Sequence, residues 1–314
     1  MTSKSSNLAV AAEALTKKFD SVTAIDNLTL TIRKGEVIGL IGPDGAGKTT
    51  LLRLLLGLLT LDSGRIQVAG IEVHREPLKL KTLTGYMPQH FSLYGDLSVA
   101  ENLKFFADLY GIRAVRFQTR KKELLGFSGL APFQSRLARN LSGGMQKKLA
   151  LACNLFHTPE ILFLDEPTTG VDPISRKELW SLLFQLNKKG TTLVVTTPYM
   201  DEAQKCSRVG LMSKGCILAL KKPQILIEEM QGEVIEVSPY SPETRKLLET
   251  LAGLECIYPY GDTLHLMFRK GQADTAAIRN MLVRKKMKGM SVRKITPSFE
   301  DAFLEFTGKT IQEP

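Results

Sequence analysis

Cysteine, histidine and tryptophan are scarce in this chain of 314 residues, at four, four and one. Cys153, Cys206, Cys216 and Cys256 are widely spaced, no CxxC pair occurs, and the histidines do not cluster with them. That spacing argues against a zinc site or a disulfide framework and for reduced thiols. Long apolar runs are missing too. The longest, near Leu51–Leu61, is interrupted by Arg53 and falls far short of the ~20 residues that a spanning helix needs. The first residues, MTSKSSN, are polar with no apolar stretch behind them, so no secretory signal is expected. These absences predict a protein that stays in the cytoplasm.

What is present is an ordinary globular composition, 43% apolar and 24% charged, with a formal net charge of +10. A basic surface suits nucleic acid, anionic lipid or nucleotide phosphates, and charge alone does not choose among them. Up to about residue 230 short β-rich runs alternate with helical patterns. Strands are expected at Leu28–Arg33, Val37–Gly42, Arg65–Gly70, Ile161–Asp165 and Thr192–Thr197. Helices are expected at Gly47–Leu56, Leu97–Leu109, Arg113–Leu125, Gly144–Phe156 and Ser175–Asn187. Apolar runs without alternation, such as ILFLD, read as strands buried on both faces of a parallel sheet, an α/β pattern. Beyond Gly232 the order becomes β-α-β-β-α-β, which suggests a small ferredoxin-like domain. A closing helix begins at Ser298. The expected division is 1–230 and 231–314.

Residues Gly42–Thr49, GPDGAGKT, fit G-x-x-x-x-G-K-[ST] between a buried strand and a helix. Glycines let successive N–H groups point inward at phosphate oxygens, and the helix N-terminus adds partial positive charge. Lys48 can reach the β- and γ-phosphates and the Thr49 hydroxyl can hold Mg²⁺. ILFLDEP then places Asp165 at the carboxyl end of a core strand, where open α/β sheets bind ligands. Asp165 suits the metal shell, and Glu166 suits a base or an orienting group for water. LSGGMQ, Leu141–Gln146, opens a helix with two glycines after Ser142, a second anion-binding pattern.

Together these motifs resemble the ATP-binding cassette (ABC) ATPases over about residues 8–230. The resemblance implies a P-loop ABC ATPase domain: a parallel core sheet with helices, an antiparallel β subdomain and a helical signature subdomain. A small α+β domain follows. It implies ATP and Mg²⁺ as ligands. It assigns nucleotide contacts to Phe19, to Gly42, Pro43, Asp44, Gly45, Ala46, Gly47, Lys48, Thr49 and Thr50, and to Ser142, Gly143, Gly144, Gln146 and Asp172. Phe19 matches the aromatic that stacks on adenine, in a KKFD turn before the first strand. Gln89 matches the Q-loop glutamine that contacts the metal along with Thr49 and Asp165. Asp172 matches the D-loop, which meets a second cassette. In the family two cassettes dimerise head to tail, so that Ser142 and Gly144 of one cap ATP on the other. The stretches Gly85–Leu103, Gly170–Trp180 and Thr296–Gly308 resemble ATPase subunits of bacterial drug exporters, and the chain most resembles the first half of a tandem fusion. This implies an integral membrane permease as partner and a peripheral place on the cytoplasmic face of the inner membrane.

One departure stands out. Family members carry a switch histidine after the strand that follows the D-loop helix. Here the segment is TTPYMDEA, Thr196–Ala203, with Pro198 in that place. Proline has neither a side-chain donor nor an N–H, so this catalytic position is degenerate. Asp44 and Met145 are smaller departures. The stretch Arg279–Lys294 carries seven cationic side chains. It reads as a solvated face, with anionic lipid as a sharper alternative. Nucleic acid is not expected, since no interleaved aromatics supply a stacking platform. Three functions stay open: the motor of an exporter, a weakly hydrolysing half of an asymmetric pair, and a soluble ABC ATPase.

Overall fold

The computed structural model describes residues 7–90, 93–287 and 289–308. Residues 1–6 of the polar N-terminus, Phe91 and Ser92 of the exporter-like stretch, and Lys288 of the basic stretch lie outside the described residues. The chain divides into two compact units, Met1–Leu220 and Lys221–Pro314.

The first unit opens with an antiparallel ribbon of two long strands, β1 (Leu8–Phe19) and β2 (Val22–Arg33). Strand β3 (Val37–Ile41) leads into helix α1 (Lys48–Leu55). Strands β4 (Ser63–Val68) and β5 (Ile71–Glu72) complete a four-stranded antiparallel sheet in the order β2-β1-β4-β5. Helix α2 (Pro77–Leu83) and strand β6 (Thr84–Met87) precede a helical stretch of α3 (Val99–Leu109), α4 (Ala114–Ser128) and α5 (Gly143–Cys153). Then come β7 (Ile161–Asp165), α6 (Pro173–Lys188), β8 (Thr192–Thr196), the short α7 (Met200–Ala203), β9 (Arg208–Ser213) and β10 (Cys216–Lys221). The core sheet runs β10-β9-β3-β8-β7-β6, and β6, β7, β8, β3 and β9 pair in parallel. Strands β3, β7 and β8 are buried at every position. Full burial on both faces explains why they read as continuous apolar runs.

The ribbon is where the sequence reading went furthest astray. Phe19 is the last residue of β1, not part of a turn before the first strand. The alternation of β1 is interrupted by four shifts of register, between Leu8 and Val10, Ala12 and Leu15, Leu15 and Lys17, and Lys17 and Lys18. Such bulges break the period of two on which strand recognition depends. Side chains collect the amides released there: Ala14 N–H donates to Thr29 Oγ1 at 3.1 Å and Asn27 N–H to Thr16 Oγ1 at 3.4 Å. Ala14 and Asn27 both have positive φ.

The second unit starts earlier than expected, at Lys221 rather than 231. Helix α8 (Pro223–Glu228) buries Leu226 and packs against the closing helix α11 (Phe299–Thr307). The amides of Gln231 and Gly232 donate to the Glu305 carboxylate of α11 at 2.8 and 2.9 Å. Between these helices lie β11 (Glu233–Ser238), α9 (Pro242–Leu248), β12 (Leu254–Tyr260), β13 (Thr263–Phe268), α10 (Thr275–Arg284) and β14 (Ser291–Ile295). The sheet order β12-β13-β11-β14, with all three pairs antiparallel, is the ferredoxin-like arrangement. Ile235, Val237, Leu264, Leu266 and Phe268 share a core with Leu248 of α9 and Ile278 and Leu282 of α10. The alternate residues meet α11, where Asp301 accepts from Tyr258 Oη and lies 2.9 Å from His265 Nδ1. Ser298 caps α11 in a reciprocal capping box with Asp301.

Candidate functional site

Strand β3 ends at Ile41 and the loop Gly42–Gly47 returns the chain into α1. Gly47 holds φ at 99°, and a Cβ there would stand 2.6 Å from the Ala24 carbonyl oxygen. Both conditions admit only glycine, so the tight entry into α1 depends on this residue. The Lys48 ammonium is buried and donates to the carbonyls of Gly42 at 2.7 Å and Pro43 at 3.1 Å. Both acceptors are neutral, so a phosphate oxygen is the better partner for this charge. Asp44 and Gly45 are exposed on the rim of the loop.

Asp165 closes β7 and is buried. Its Oδ1 accepts from Thr49 Oγ1 at 3.1 Å and from Thr196 Oγ1 at 2.7 Å. The sequence reading paired Thr49 with Asp165 and missed Thr196. Its one signal was a hydroxyl at the carboxyl end of an otherwise apolar strand. Glu166 follows with φ of 47°, a left-handed conformation that a non-glycine residue adopts at a cost of roughly 1–3 kcal/mol. Its amide donates to Thr196 Oγ1 at 2.9 Å. Its Oε2 accepts from Gln89 Nε2 at 2.9 Å and from Thr169 Oγ1 at 3.1 Å. The strained backbone thus turns the carboxylate toward Gln89.

Helix α5 joins the same cluster from the other side. Ser142 is its N-cap and accepts from the Met145 amide. Lys147, which sequence reasoning did not single out, donates to the Gln89 carbonyl at 2.8 Å. Burial pushes the Lys147 ammonium below the usual lysine range, although Glu166 and Asp165 pull it back up. The side-chain amide of Gln146 donates to the carbonyls of Ala138 and Leu141. Gln89, Gly143, Lys147 and Thr169 line a cavity of about 320 Å³.

Asp172 is the N-cap of α6 and accepts from the amides of Ile174 and Ser175. The bonds from Ser175 and Ile174 hold its carboxyl below the usual carboxylate range. Gly144 packs so tightly on this helix that a Cβ would lie 2.4 Å from Ser175 Cβ and Oγ. Pro198 is exposed just past β8. The neighbouring Thr197 hydroxyl is committed to Glu202 Oε2 at 2.6 Å. Phe19 is 43% exposed at the end of the ribbon, with the Lys17 ammonium 5.2 Å from its ring centroid. An accessible ring of this kind can take a base on its face.

The structure therefore brings together Lys48, Thr49, Asp165, Glu166 and Gln89, with Lys147 linking them to the signature helix. Residues 25–169 match the family model described as ABC transporter. The chain is 41% identical over 307 residues to the probable multidrug ABC transporter ATP-binding protein YbhF of Escherichia coli (strain K12). That match covers 95% of this chain and 52% of the relative, so the chain spans about half of its length. It is 35% identical over 307 residues to the Nod factor export ATP-binding protein I of Ralstonia nicotianae, covering 97% of this chain and 95% of the relative. It is 31% identical over 310 residues to the linearmycin resistance ATP-binding protein LnrL of Bacillus subtilis (strain 168), covering 96% and 99%. Among solved structures, the ATP-binding cassette MJ0796, dimeric in a post-hydrolysis state bound to ADP and Pi, superposes with a TM-score of 0.62. Its identity is 26%, covering 68% of this chain and 98% of that one. The cbiO1 protein of Clostridium perfringens, part of the ABC transporter complex cbiONQ, has a TM-score of 0.65 at 26% identity, covering 78% and 96%. Two of these relatives, at 35% and 31% identity, are matched over nearly the whole of both chains, and the protein belongs to the family of ABC transporter ATP-binding proteins.

Proposed function

We propose that this chain binds Mg-ATP, dimerises with a second cassette on doing so, and powers a membrane exporter through a permease subunit. The observation that carries this reading is the joined set Thr49–Asp165–Glu166–Gln89 beside the buried Lys48 ammonium. Lys48 would hold the β- and γ-phosphates. Thr49 and Asp165, with Gln89, would hold Mg²⁺, which neutralises the charge that builds on the phosphate oxygens. Glu166 would take the proton of the water that attacks the γ-phosphorus as the bond to the bridging oxygen breaks. Gln89 now holds that carboxylate, so the base acts only once this hydrogen bond is rearranged.

The exporter part rests on relatives whose names describe multidrug, Nod factor and linearmycin export or resistance. No helix among the described residues is long and apolar enough to cross a membrane. That favours a peripheral subunit on the cytoplasmic face of a bacterial plasma membrane, with the permease supplying the path. The segment from Gln89 to about Arg139, which contains α3 and α4, is the proposed docking surface for the permease. A share of the basic stretch is already neutralised: Arg293 and Lys294 pair with Glu236 and Glu233 at 2.7 Å. Attraction to anionic lipid would therefore fall to the exposed Arg284, Lys285 and Lys286.

A second reading concerns rate. Pro198 offers no donor at the place where the resemblance implies a switch histidine, and Thr197 is committed to Glu202. Loss of one preorganised donor lowers turnover about 10²–10³-fold and binding much less. The chain's own site would then clamp ATP and turn it over slowly, with faster hydrolysis at a partner cassette. The test is steady-state ATPase activity of the purified chain and of its Pro198→His and Glu166→Gln forms. Slow turnover that rises with Pro198→His is expected. Brisk turnover in the unmodified chain, abolished by Glu166→Gln, would sink the slow-site reading.

A further inference from the structure

Arg176 lies one turn into α6 and has no part in the nucleotide contacts assigned above. Its guanidinium is 3.8 Å from the ring centroid of Tyr199, the residue after Pro198. Its Nε donates to Glu202 Oε1 at 3.2 Å, and another of its nitrogens to Asp201 Oδ1 at 3.2 Å. Glu202 is 1% exposed. Its second oxygen accepts from the Thr197 hydroxyl, and Thr197 Oγ1 accepts in turn from the Tyr199 amide at 3.1 Å. The contacts close on themselves, from Arg176 through Glu202, Thr197 and Tyr199 back to Arg176. Pro198 lies in sequence between two members of this ring, Thr197 and Tyr199.

The first turn of α6 carries more than Arg176. Asp172 caps it, and Ser175 packs against Gly144 at the start of the signature helix. A guanidinium seated over an aromatic ring and bonded to a carboxylate is held at two points, as a lysine would not be. We infer that Arg176 is a positioning residue that holds the Pro198 turn in register with the D-loop and the signature start. A shift of the first turn of α6 then displaces the Pro198 turn as well. This inference rests on the reading that the site hydrolyses ATP.

Arg176→Ala would strand the buried Glu202 carboxylate and can simply unfold the region, so the decisive variant is Tyr199→Leu. It removes the stacking face and keeps the ion pair. Two quantities are measured on the full chain: ATP affinity, by titration with a fluorescent analogue, and the rate of single-turnover hydrolysis with protein in excess. In the Pro198→His background, where the turn carries a donor, Tyr199→Leu is expected to lower the rate about tenfold to a hundredfold, as misplacement of a reacting group does. Affinity should stay within about twofold, and Tyr199→Phe, which keeps the ring, should keep the rate within about threefold. A rate unchanged in Tyr199→Leu, a fall matched by an equal fall in affinity, or an equal fall in Tyr199→Phe would each overturn the inference. So would hydrolysis no faster than that of Glu166→Gln in both the Pro198 and the Pro198→His backgrounds, because there would be no turnover to position. The slow-site reading is judged separately, on the absolute rate of the unmodified chain.

Discussion

Gly144→Ala should be destabilising alone and stabilising beside Ser175→Gly. In the parent chain the new methyl would meet Ser175 Cβ and Oγ at 2.4 Å. Helix α5 or α6 must give way, and overpacking of this kind costs about 1–3 kcal/mol. Against it stands the better helix propensity of alanine, about 1 kcal/mol over glycine. The net loss should be ~0–2 kcal/mol, which are the two terms subtracted. In Ser175→Gly the obstructing atoms are gone, and the nearest remaining neighbour, Val171 Cγ1, sits at an ordinary 3.6 Å. The alanine should then contribute its propensity, and the cycle should show a coupling of about 1–3 kcal/mol. Trp180, the sole tryptophan, is buried on α6, so its fluorescence during urea unfolding reports on the helix in question. Additivity within about 0.5 kcal/mol would show that the two helices do not press on each other at this point.

Three further outcomes are expected. Lys48→Ala should reduce affinity for a fluorescent ATP analogue about 10²-fold or more, since charge-assisted bonds to phosphate contribute about 1.5–3 kcal/mol each; unchanged binding would remove Lys48 from the site. Asp301→Ala should weaken the second unit by about 3–5 kcal/mol, because Tyr258, His265 and the Ser298 amide lose a shared buried acceptor; hydrogen exchange at α11 amides that stays at the parent level would refute this. Glu36 should govern part of the acid limb of stability. Burial pushes its carboxyl up, but the hydrogen bonds from Arg208 and the Arg33 amide outweigh this and hold it below its usual value. A folded-state value that is depressed gives stability present above the unfolded value and lost as pH falls through the folded one. Glu36→Gln should therefore flatten the fall in stability below about pH 4.5, measured by urea unfolding across pH.

The elements most legible in the sequence were those whose chemistry is local. GPDGAGKT and ILFLDEP need fixed residues at fixed spacing beside a buried strand, so the loop, Lys48, Thr49 and Asp165 could be read directly. The βαββαβ order of the second unit was legible because turns and alternating runs punctuate it. What escaped notice is held by contacts distant in sequence. Thr196 meets Asp165 only because β8 lies beside β7, and Lys147 meets Gln89 across 58 positions. Neither has a local signature. The boundary was misplaced because the packing of α8 on α11 brings together the two ends of the second unit. Strand β1 was missed because its bulges erase the alternation that marks a strand.

Those bulges also decide which changes of length the ribbon tolerates. In a regular strand, removal of one residue turns every later side chain to the opposite face. In β1 that would reverse the inward set of Val10, Ala12 and Leu15 relative to whatever follows, and Phe19 with it. The register shifts between Ala12 and Lys18 are points where one strand already carries more residues than the other. Between Ala12 and Leu15 the extra residue is in β1, so a deletion there can be absorbed by straightening the bulge, and the Thr29 hydroxyl gives up an amide that the ladder can reclaim. Between Leu15 and Lys18 the extra residues are in β2, where the Thr16 hydroxyl does the same for Asn27. A deletion between Leu28 and Ile32 of β2, where residues 28, 30 and 32 alternate inward without interruption, has no such slack. The aromatic at the ribbon's end is thus buffered against a lost residue between Ala12 and Leu15 of β1 or between Thr23 and Leu28 of β2, and sensitive to one between Leu28 and Ile32.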